Sequence, residues 1–506
     1  MRIPAVGGTA AFVLVVVLSM GLSMGVVPSP SPAVAESEPA VAGPIDRFVE
    51  DWMRANAVPG LALTVTRGAT TIHLKGYGDA GDGRPVTADT PFLIASLSKS
   101  FTALAVLQLS EAGRIDLDTP VRAYLPGFAV ADPSASGRIT VRMLLNHTSG
   151  LADAGYPEMT LPQPDTIAAR VAGLRDAHPV DPPGTAFHYF NPNYAVLARL
   201  VEVVAAQPFS EYLRQRVLMP LGMTATTSVV TSGDASEVAP GLAGGHILAF
   251  GVPIAREELL GFLGGSGGVI STARDLAPWL EMQGQGGRFA GRSLLSPGGI
   301  DMMRTPPAGV DTTYGMGWAR RARQPSGVEH TGVLSTFSAH QALLTDDGIG
   351  IAFLANTYNG LIDFAGLMQG LADLTTTGTD AEVAAGFGAR RLGLVFGVST
   401  IGVIAVAGWR FRRLPGWADR CRGRPARTAV GVVLPFAPAA VALSTPSLVA
   451  RLSDRVFGWR VLFLAIPDLM GCLTLAGVLG AALGIARLIS IARRRDPLRD
   501  QAGVAR

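Results

Sequence analysis

The sequence predicts an α/β globular body joined to a membrane tail of three helices. Three observations carry this. Residues 390–506 hold 18 Arg against 5 Asp, a charge of +13, whereas the residues before them hold 24 basic and 34 acidic groups, or −10. That basic tail also contains three long apolar runs. The region from about Ile45 to Leu374 pairs helical periodicity, clearest at Ser96–Leu109, with a strand-like stretch at Ala339–Asn356. An acidic body on a basic, apolar tail points to a lipid bilayer as partner and away from nucleic acid. The 506 residues suffice for about two to four domains. A charged fraction of only 16% with 48% apolar residues excludes a disordered chain.

At the N-terminus, Met1-Arg2 precedes an apolar run over Ala10–Val27 and a Pro-rich stretch that ends in Ala33-Val34-Ala35. This small-x-small ending predicts a signal peptide over residues 1–35, cleaved after Ala35; an uncleaved anchor helix is the alternative. The body follows over 45–374 with no internal repeat, then a polar linker over 375–391 that begins Thr375-Thr376-Thr377-Gly378-Thr379.

The tail reads as transmembrane helices at 392–409, 429–448 and 461–486, each long enough to cross about 30 Å of hydrocarbon. Arg410, Arg412, Arg413, Arg420, Arg422, Arg424 and Arg427 lie between the first two, and Arg493, Arg494, Arg495 and Arg499 in the final segment, 487–506. The excess of positive charge puts both in the cytoplasm. Three crossings then leave the body outside, where a signal peptide would also send it. The expectation is a multi-pass protein of the cell membrane with an extracytoplasmic body. Asp468 falls inside the third run, so it faces a neighbouring helix or the span begins later.

Both cysteines, Cys421 and Cys472, lie in the tail, so the body has neither a disulfide nor a thiol nucleophile. Only two of its cations are lysines, Lys75 and Lys99. Lys99 sits three residues after Ser96 on a helical pattern in which Phe101, Leu104, Ala105 and Leu107 recur at spacings of three and four. Residues i and i+3 share a helix face, so the Ser96 hydroxyl and the Lys99 amine can touch. A serine needs a proton acceptor to become a nucleophile, and a desolvated lysine can serve. By itself a Ser-x-x-Lys tetrapeptide is a weak signal; its surroundings strengthen it. Tyr189-x-Asn191 lies in a turn before an apolar helix, where a tyrosine of lowered pKa can shuttle a proton and Asn191 can hold the lysine and a substrate amide. His330-Thr331-Gly332 precedes the strand-like stretch and offers a donor, a hydroxyl and a glycine that lets substrate backbone approach.

With these residues in hand, the chain resembles the serine β-lactamase and penicillin-binding-protein superfamily, in its class C β-lactamase-like branch of carboxypeptidases, D-aminopeptidases and esterases. Further matches run in the family's order: Val58-Pro59-Gly60, Gly113 to Asp118, Leu144 to Leu151, Pro220 to Met223, Gly267 to Leu276 and Tyr314 to Trp318. The resemblance implies a sandwich of an antiparallel sheet flanked by helices, plus a helical subdomain, with substrate entering between them. It implies Ser96 as nucleophile, Lys99 as its proton partner, Tyr189 as general base and proton relay, and Asn191 as a contact to substrate and lysine. His330 stands where β-lactamases usually carry Lys, and backbone N–H groups of Ser96 and Val333 form the oxyanion hole. The family often continues with a Gly-rich turn, whereas this chain reads Val333-Leu334-Ser335-Thr336-Phe337, and that bulk bears on the width of the pocket floor.

His147 reads as structural, His188 as a loop histidine and Arg274-Asp275 as a helix-opening pair. Gly264-Gly265-Ser266-Gly267-Gly268 fits G-x-S-x-G, but a helix-like Glu257–Leu263 precedes it where a nucleophile elbow needs a strand, so it reads as a pocket-edge turn. The expected reaction is hydrolysis of D-amino-acid peptides such as cell-wall peptides, of β-lactams or of esters, through an acyl-enzyme, with no metal and no cofactor. The alternative is a penicillin-binding sensor that is acylated without efficient turnover. A mostly neutral His330 implies weak β-lactam hydrolysis; a carboxylate recognised through it would bind more tightly as the pH falls through the histidine pKa.

Overall fold

The computed structural model describes residues 39–493 except 260, 323, 325 and 379–387. The expected signal peptide and much of the expected linker lie outside the described residues. The chain divides into two compact units. One comprises Ser37–Gly393 together with Pro446–Ile466; the other includes Leu394–Thr445 and Pro467–Arg506.

The first unit is built on a six-stranded antiparallel sheet. Its strands are β1 (Gly60–Arg67), β2 (Thr70–Gly78), β3 (Ala319–Arg320), β4 (Val328–Val333), β5 (Ser338–Leu344) and β6 (Ile349–Ala355), in the spatial order β3-β4-β5-β6-β1-β2. Five helices matter for the site: α1 (Pro39–Asn56), α2 (Ser98–Glu111), α3 (Pro192–Ala205), α4 (Ala273–Gly284) and α5 (Phe364–Thr377). Strands β1, β5 and β6 are buried almost throughout because helices cover both faces. Leu61, Leu63 and Val65 of β1 join Ile351 and Phe353 of β6 in a core with Trp52 of α1 and Leu371 of α5. The alternate residues Ala62, Ala352 and Leu354 join a second core with Phe101 of α2 and Trp279 of α4. Period-two alternation thus assigns one face of each strand to each core. The Phe101 and Trp279 rings stack with centroids 3.9 Å apart, fixing α2 against α4.

Helix α2 continues directly from a 3-10 turn at Ala95–Leu97, and the strand β4 packs against that turn. Ala95 holds φ +50°, an uncommon conformation for a residue with a side chain, immediately before Ser96. Gly332 of β4 has no room for a Cβ, which would lie 2.4 Å from the Ile94 carbonyl oxygen. Its role is to let β4 close on the turn carrying Ser96. The sequence suggests a glycine that admits substrate backbone; in the fold Gly332 is itself buried against the turn, whereas its neighbours Thr331 and Val333 are exposed.

Two further local expectations change. Glu257–Leu259 and Gly261–Leu263 are irregular rather than helical, because the Glu258 carboxylate accepts hydrogen bonds from the backbone and hydroxyls of Ser335 and Thr336 and is held at that turn. In the second unit the third apolar helix begins at Pro467, not Val461, because Ile466-Pro467 ends a separate short helix, Trp459–Ala465. Asp468 therefore lies in a first turn. Among the described residues, three helices are long and apolar enough to cross a membrane: Ala389–Arg412, Pro425–Ser453 and Pro467–Ala492.

Gly332→Ala tests this packing. Overfilling a close backbone approach costs about 1–3 kcal/mol. The variant should fold with a lowered melting temperature and a disproportionate loss of activity at Ser96; a melting temperature and activity equal to wild type would show that β4 and the turn are not in contact.

Candidate active site

A cleft of about 830 Å³ in the first unit holds the residues singled out from the sequence: Ser96, Tyr189, Asn191, His330, Thr331 and Val333 line it. Its volume suits a small molecule or a short peptide. Lys99 lies behind Ser96 on the first turn of α2, completely buried.

The helical spacing delivers the contact it promised. Lys99 Nζ is 3.0 Å from Ser96 Oγ and 2.9 Å from the carbonyl oxygen of Ser266. The glycine-rich segment around Ser266 is the pocket-edge turn expected. Gly265 adopts φ +75°, and a Cβ there would lie 2.4 Å from the Tyr194 carbonyl, so only glycine brings the Ser266 carbonyl to Lys99. Ser266 Oγ, by contrast, turns back to the Leu263 carbonyl at 3.4 Å. Burial pushes the Lys99 amine well below its ordinary pKa, and the Arg455 guanidinium pushes the same way while Glu158 opposes it. Lys75, the other lysine, is a surface ion pair with Asp46 at 2.7 Å.

Tyr189 reaches the Ser96 hydroxyl, and its ring centroid is 4.8 Å from Lys99 Nζ. Its pKa is not lowered as the sequence suggested. Burial pushes the phenol up to about 12, and a hydrogen bond from Ser96 together with the Arg455 charge recovers only part of that rise. At neutral pH the phenol is therefore protonated, and Lys99 is the better proton acceptor.

Asn191 lines the cleft, but its amide donates to Glu158 Oε1 at 2.9 Å. No hydrogen bond between Asn191 and Lys99 is found among the described residues, so the lysine contact inferred from the sequence has no counterpart here. Glu158, a buried acid that sequence reasoning missed, also lies 3.8 Å from Arg170 and 3.7 Å from Arg455. It sits in a short turn without a recognisable motif, so no spacing marked it. Tyr314 was noted only as part of a motif. In the fold it is buried, and its hydroxyl lies 3.1 Å from His330 Nε2.

His330 Nδ1 is 2.7 Å from the Thr331 carbonyl, which can only accept, so Nδ1 carries the proton and Nε2 accepts from Tyr314. The free donor expected of a neutral His330 is thus already used. Burial, then the nearby Lys99, hold its pKa at about 3. His147 is structural, as read: its ring packs 4.6 Å from Tyr189 and 5.0 Å from Tyr314, and Nδ1 accepts from the Phe190 backbone N–H. His188 is a loop histidine but a tied one, between Asp181 at 2.8 Å and Asp454 at 2.6 Å. Arg274 and Asp275 do open α4, with Arg274 paired to Asp89. The non-glycine turn after Val333 leaves the floor open, because Phe337 buries its ring in the core and Leu334 alone of the bulky pair reaches the cleft.

Residues 45–370 match the beta-lactamase family. The chain belongs to that family. It is 31% identical over 334 residues to penicillin-binding protein 4 of Amycolatopsis lactamdurans, an alignment spanning 60% of this chain and 85% of the relative. Among solved structures it resembles the octameric penicillin-binding protein homologue from Pyrococcus abyssi, with TM-score 0.54, 26% identity, and coverage of 62% and 73% of the two chains. It also resembles SurE, described in complex with D-Leu, with TM-score 0.54, 25% identity, and coverage of 69% and 78%. This beta-lactamase-like chain therefore has the α/β fold of the family, whose members are serine hydrolases and penicillin-binding proteins.

The low pKa of His330 changes the pH behaviour expected from the sequence. Its titration falls near pH 3, so KM for a carboxylate-bearing ester should stay flat between pH 7.5 and 5.5. A tightening of about tenfold in total across that window would show an imidazole titrating near its unperturbed value of about 6.5.

Proposed function

We propose that this chain is a membrane-anchored serine hydrolase acting by acyl transfer, with Ser96 as nucleophile. The observation that carries the reading is the 3.0 Å contact between Ser96 Oγ and a fully buried Lys99 whose amine is held toward its neutral form. Neutral Lys99 takes the Ser96 proton as Oγ attacks a carbonyl carbon. The developing oxyanion is received by the backbone N–H groups of Ser96 and Val333, at the turn before α2 and the end of β4. Protonated Tyr189 then passes its proton to the leaving group and is reprotonated by the Lys99 ammonium, an acyl-enzyme remains with both groups restored, and water releases it.

His330 and Thr331 border the substrate without presenting a cation. In place of the lysine of β-lactamases, a neutral imidazole bonded to Tyr314 offers little pull on the carboxylate of a β-lactam. Short-chain esters and D-amino-acid peptides fit this site better than β-lactams, and the likeness to a structure holding D-Leu agrees with a D-residue beside the scissile bond. The three apolar helices and the basic loop between the first two support a membrane anchor with the body outside the cell.

Ser96→Ala should abolish ester hydrolysis in a folded protein, by roughly 10⁴–10⁶-fold, whereas Ser266→Ala should retain most of it, because its backbone carbonyl is what Lys99 uses. Lys99→Arg should be nearly as inactive as the serine variant, since a guanidinium stays protonated. Turnover near wild type by either Ser96→Ala or Lys99→Arg would overturn the mechanism. Mass spectrometry of the protein after exposure to a β-lactam, an activated ester and a D-Ala-D-Ala peptide identifies the substrate that acylates Ser96.

Topology is checked separately. A reporter fused after Arg424 should read cytoplasmic and one fused after Thr377 extracytoplasmic; the opposite pair would invert the tail.

A further inference from the structure

The end of the second apolar helix and the segment that leads from it to the third, together Pro446–Ile466, pack with the catalytic body. We infer that this segment completes the active site, with Arg455 as the positioning residue that holds Tyr189 beside Ser96 and Lys99. The inference rests on the serine hydrolase reading above and adds a residue that lies outside the family match, which ends at residue 370.

The contacts are those of a built site. Arg455 Nε donates to Asp153 Oδ2 at 2.8 Å, and the Val456 backbone N–H donates to the same oxygen at 3.0 Å. Arg455 Nη2 lies 3.7 Å from Glu158 Oε1, the carboxylate that also anchors Asn191. The guanidinium carbon is 5.4 Å from the centre of the Tyr189 ring, a cation–π distance, so the same ring feels Lys99 and Arg455. One residue earlier, Asp454 ties the segment to His188. Beyond Arg455, Phe457, Val461, Leu462, Ala465 and Ile466 line the cleft that Ser96 opens into.

Asp153 shows that the body is shaped to receive this segment. It is fully buried, and among the described residues its side chain is hydrogen-bonded by Arg455 and Val456 alone. A buried carboxylate without a cation is strongly unfavourable, so Asp153 is tolerated because Arg455 reaches it. The body carries an acid whose partner comes from between two membrane helices.

Arg455 also acts on the reacting groups through its charge. The groups facing Lys99 and Tyr189 are Arg455, Glu158, His147, His330, Tyr194 and Tyr314, with Asp153 and Arg170 one contact further out. His147 and His330 are neutral, so Arg455 and Glu158 are the nearest opposed charges. Arg455 favours the neutral amine and the phenolate; Glu158 opposes both. Removing the guanidinium raises the pKa of Lys99, so the acidic limb of the rate profile moves up.

The test uses the full chain in detergent, with Ser96 labelling by a fluorophosphonate measured against pH, for wild type, Arg455→Gln and Arg455→Lys. Arg455→Gln should have its acidic limb raised by about one pH unit, so that on that limb it labels roughly tenfold more slowly than wild type, and Arg455→Lys should restore most of the limb. Should Arg455→Gln fail to fold cooperatively, Asp153→Asn/Arg455→Gln leaves no unpaired buried charge and is read for the same upward shift. A limb unchanged in the folded glutamine or double variant overturns the inference, whether or not the rate falls, because a merely structural contact would not move it. Absence of labelling in the wild type overturns instead the assignment of Ser96 as nucleophile.

Discussion

The charge state of one buried amine governs the site. Lys99 is sealed from solvent with two hydrogen-bonding partners, the Ser96 hydroxyl and the Ser266 carbonyl. Neither is an anion, so nothing in direct contact stabilises an ammonium, and burial favours the neutral base. The rest of the site follows from keeping that amine neutral and within reach of Ser96. The sheet and α2 place the serine, Gly265 brings the carbonyl close, and the histidines around the pocket are themselves kept uncharged by burial.

Two helix–sheet cores give this arrangement its rigidity. The core containing Phe101 and Trp279 locks α2, and β4 closes on the turn before it through the missing side chain of Gly332. Ser96 is thereby fixed from two directions, by the helix that follows its turn and by the strand beside it. Positioning of this kind is what acyl transfer requires of a nucleophile, because reacting atoms must be held within a few tenths of an ångström.

The aromatic cluster of Tyr189, Tyr194, Tyr314 and His147 divides the proton chemistry in a way that residue identities alone do not reveal. A tyrosine next to a lysine suggests a phenolate, but the ring's burial raises its pKa further than the neighbouring cations lower it. In the proposed mechanism base and relay are therefore separated: the lysine accepts, and the tyrosine holds a proton. The pairing of His330 with Thr331 and Tyr314 is a similar case, since its capacity to donate depends on who stands at each ring nitrogen.

The sequence by itself determined the family, the sandwich of helices and sheet, the three apolar helices and the cluster of Ser96, Lys99, Tyr189 and His330. Those features rest on short-range rules: spacing along a helix, alternation along a strand, the length of an apolar run, and ordered motifs. Only the tertiary structure decided the charge states, because burial and neighbours brought from distant segments set them. It also exposed Glu158, which no pattern marks, and gave Gly332 a packing role rather than a substrate one. Most of all it brought Arg455 against Asp153 and Tyr189 across some three hundred residues of chain. In sequence that arginine is one of three in a short loop of an Arg-rich tail; its significance depends on a buried carboxylate that only the folded body creates.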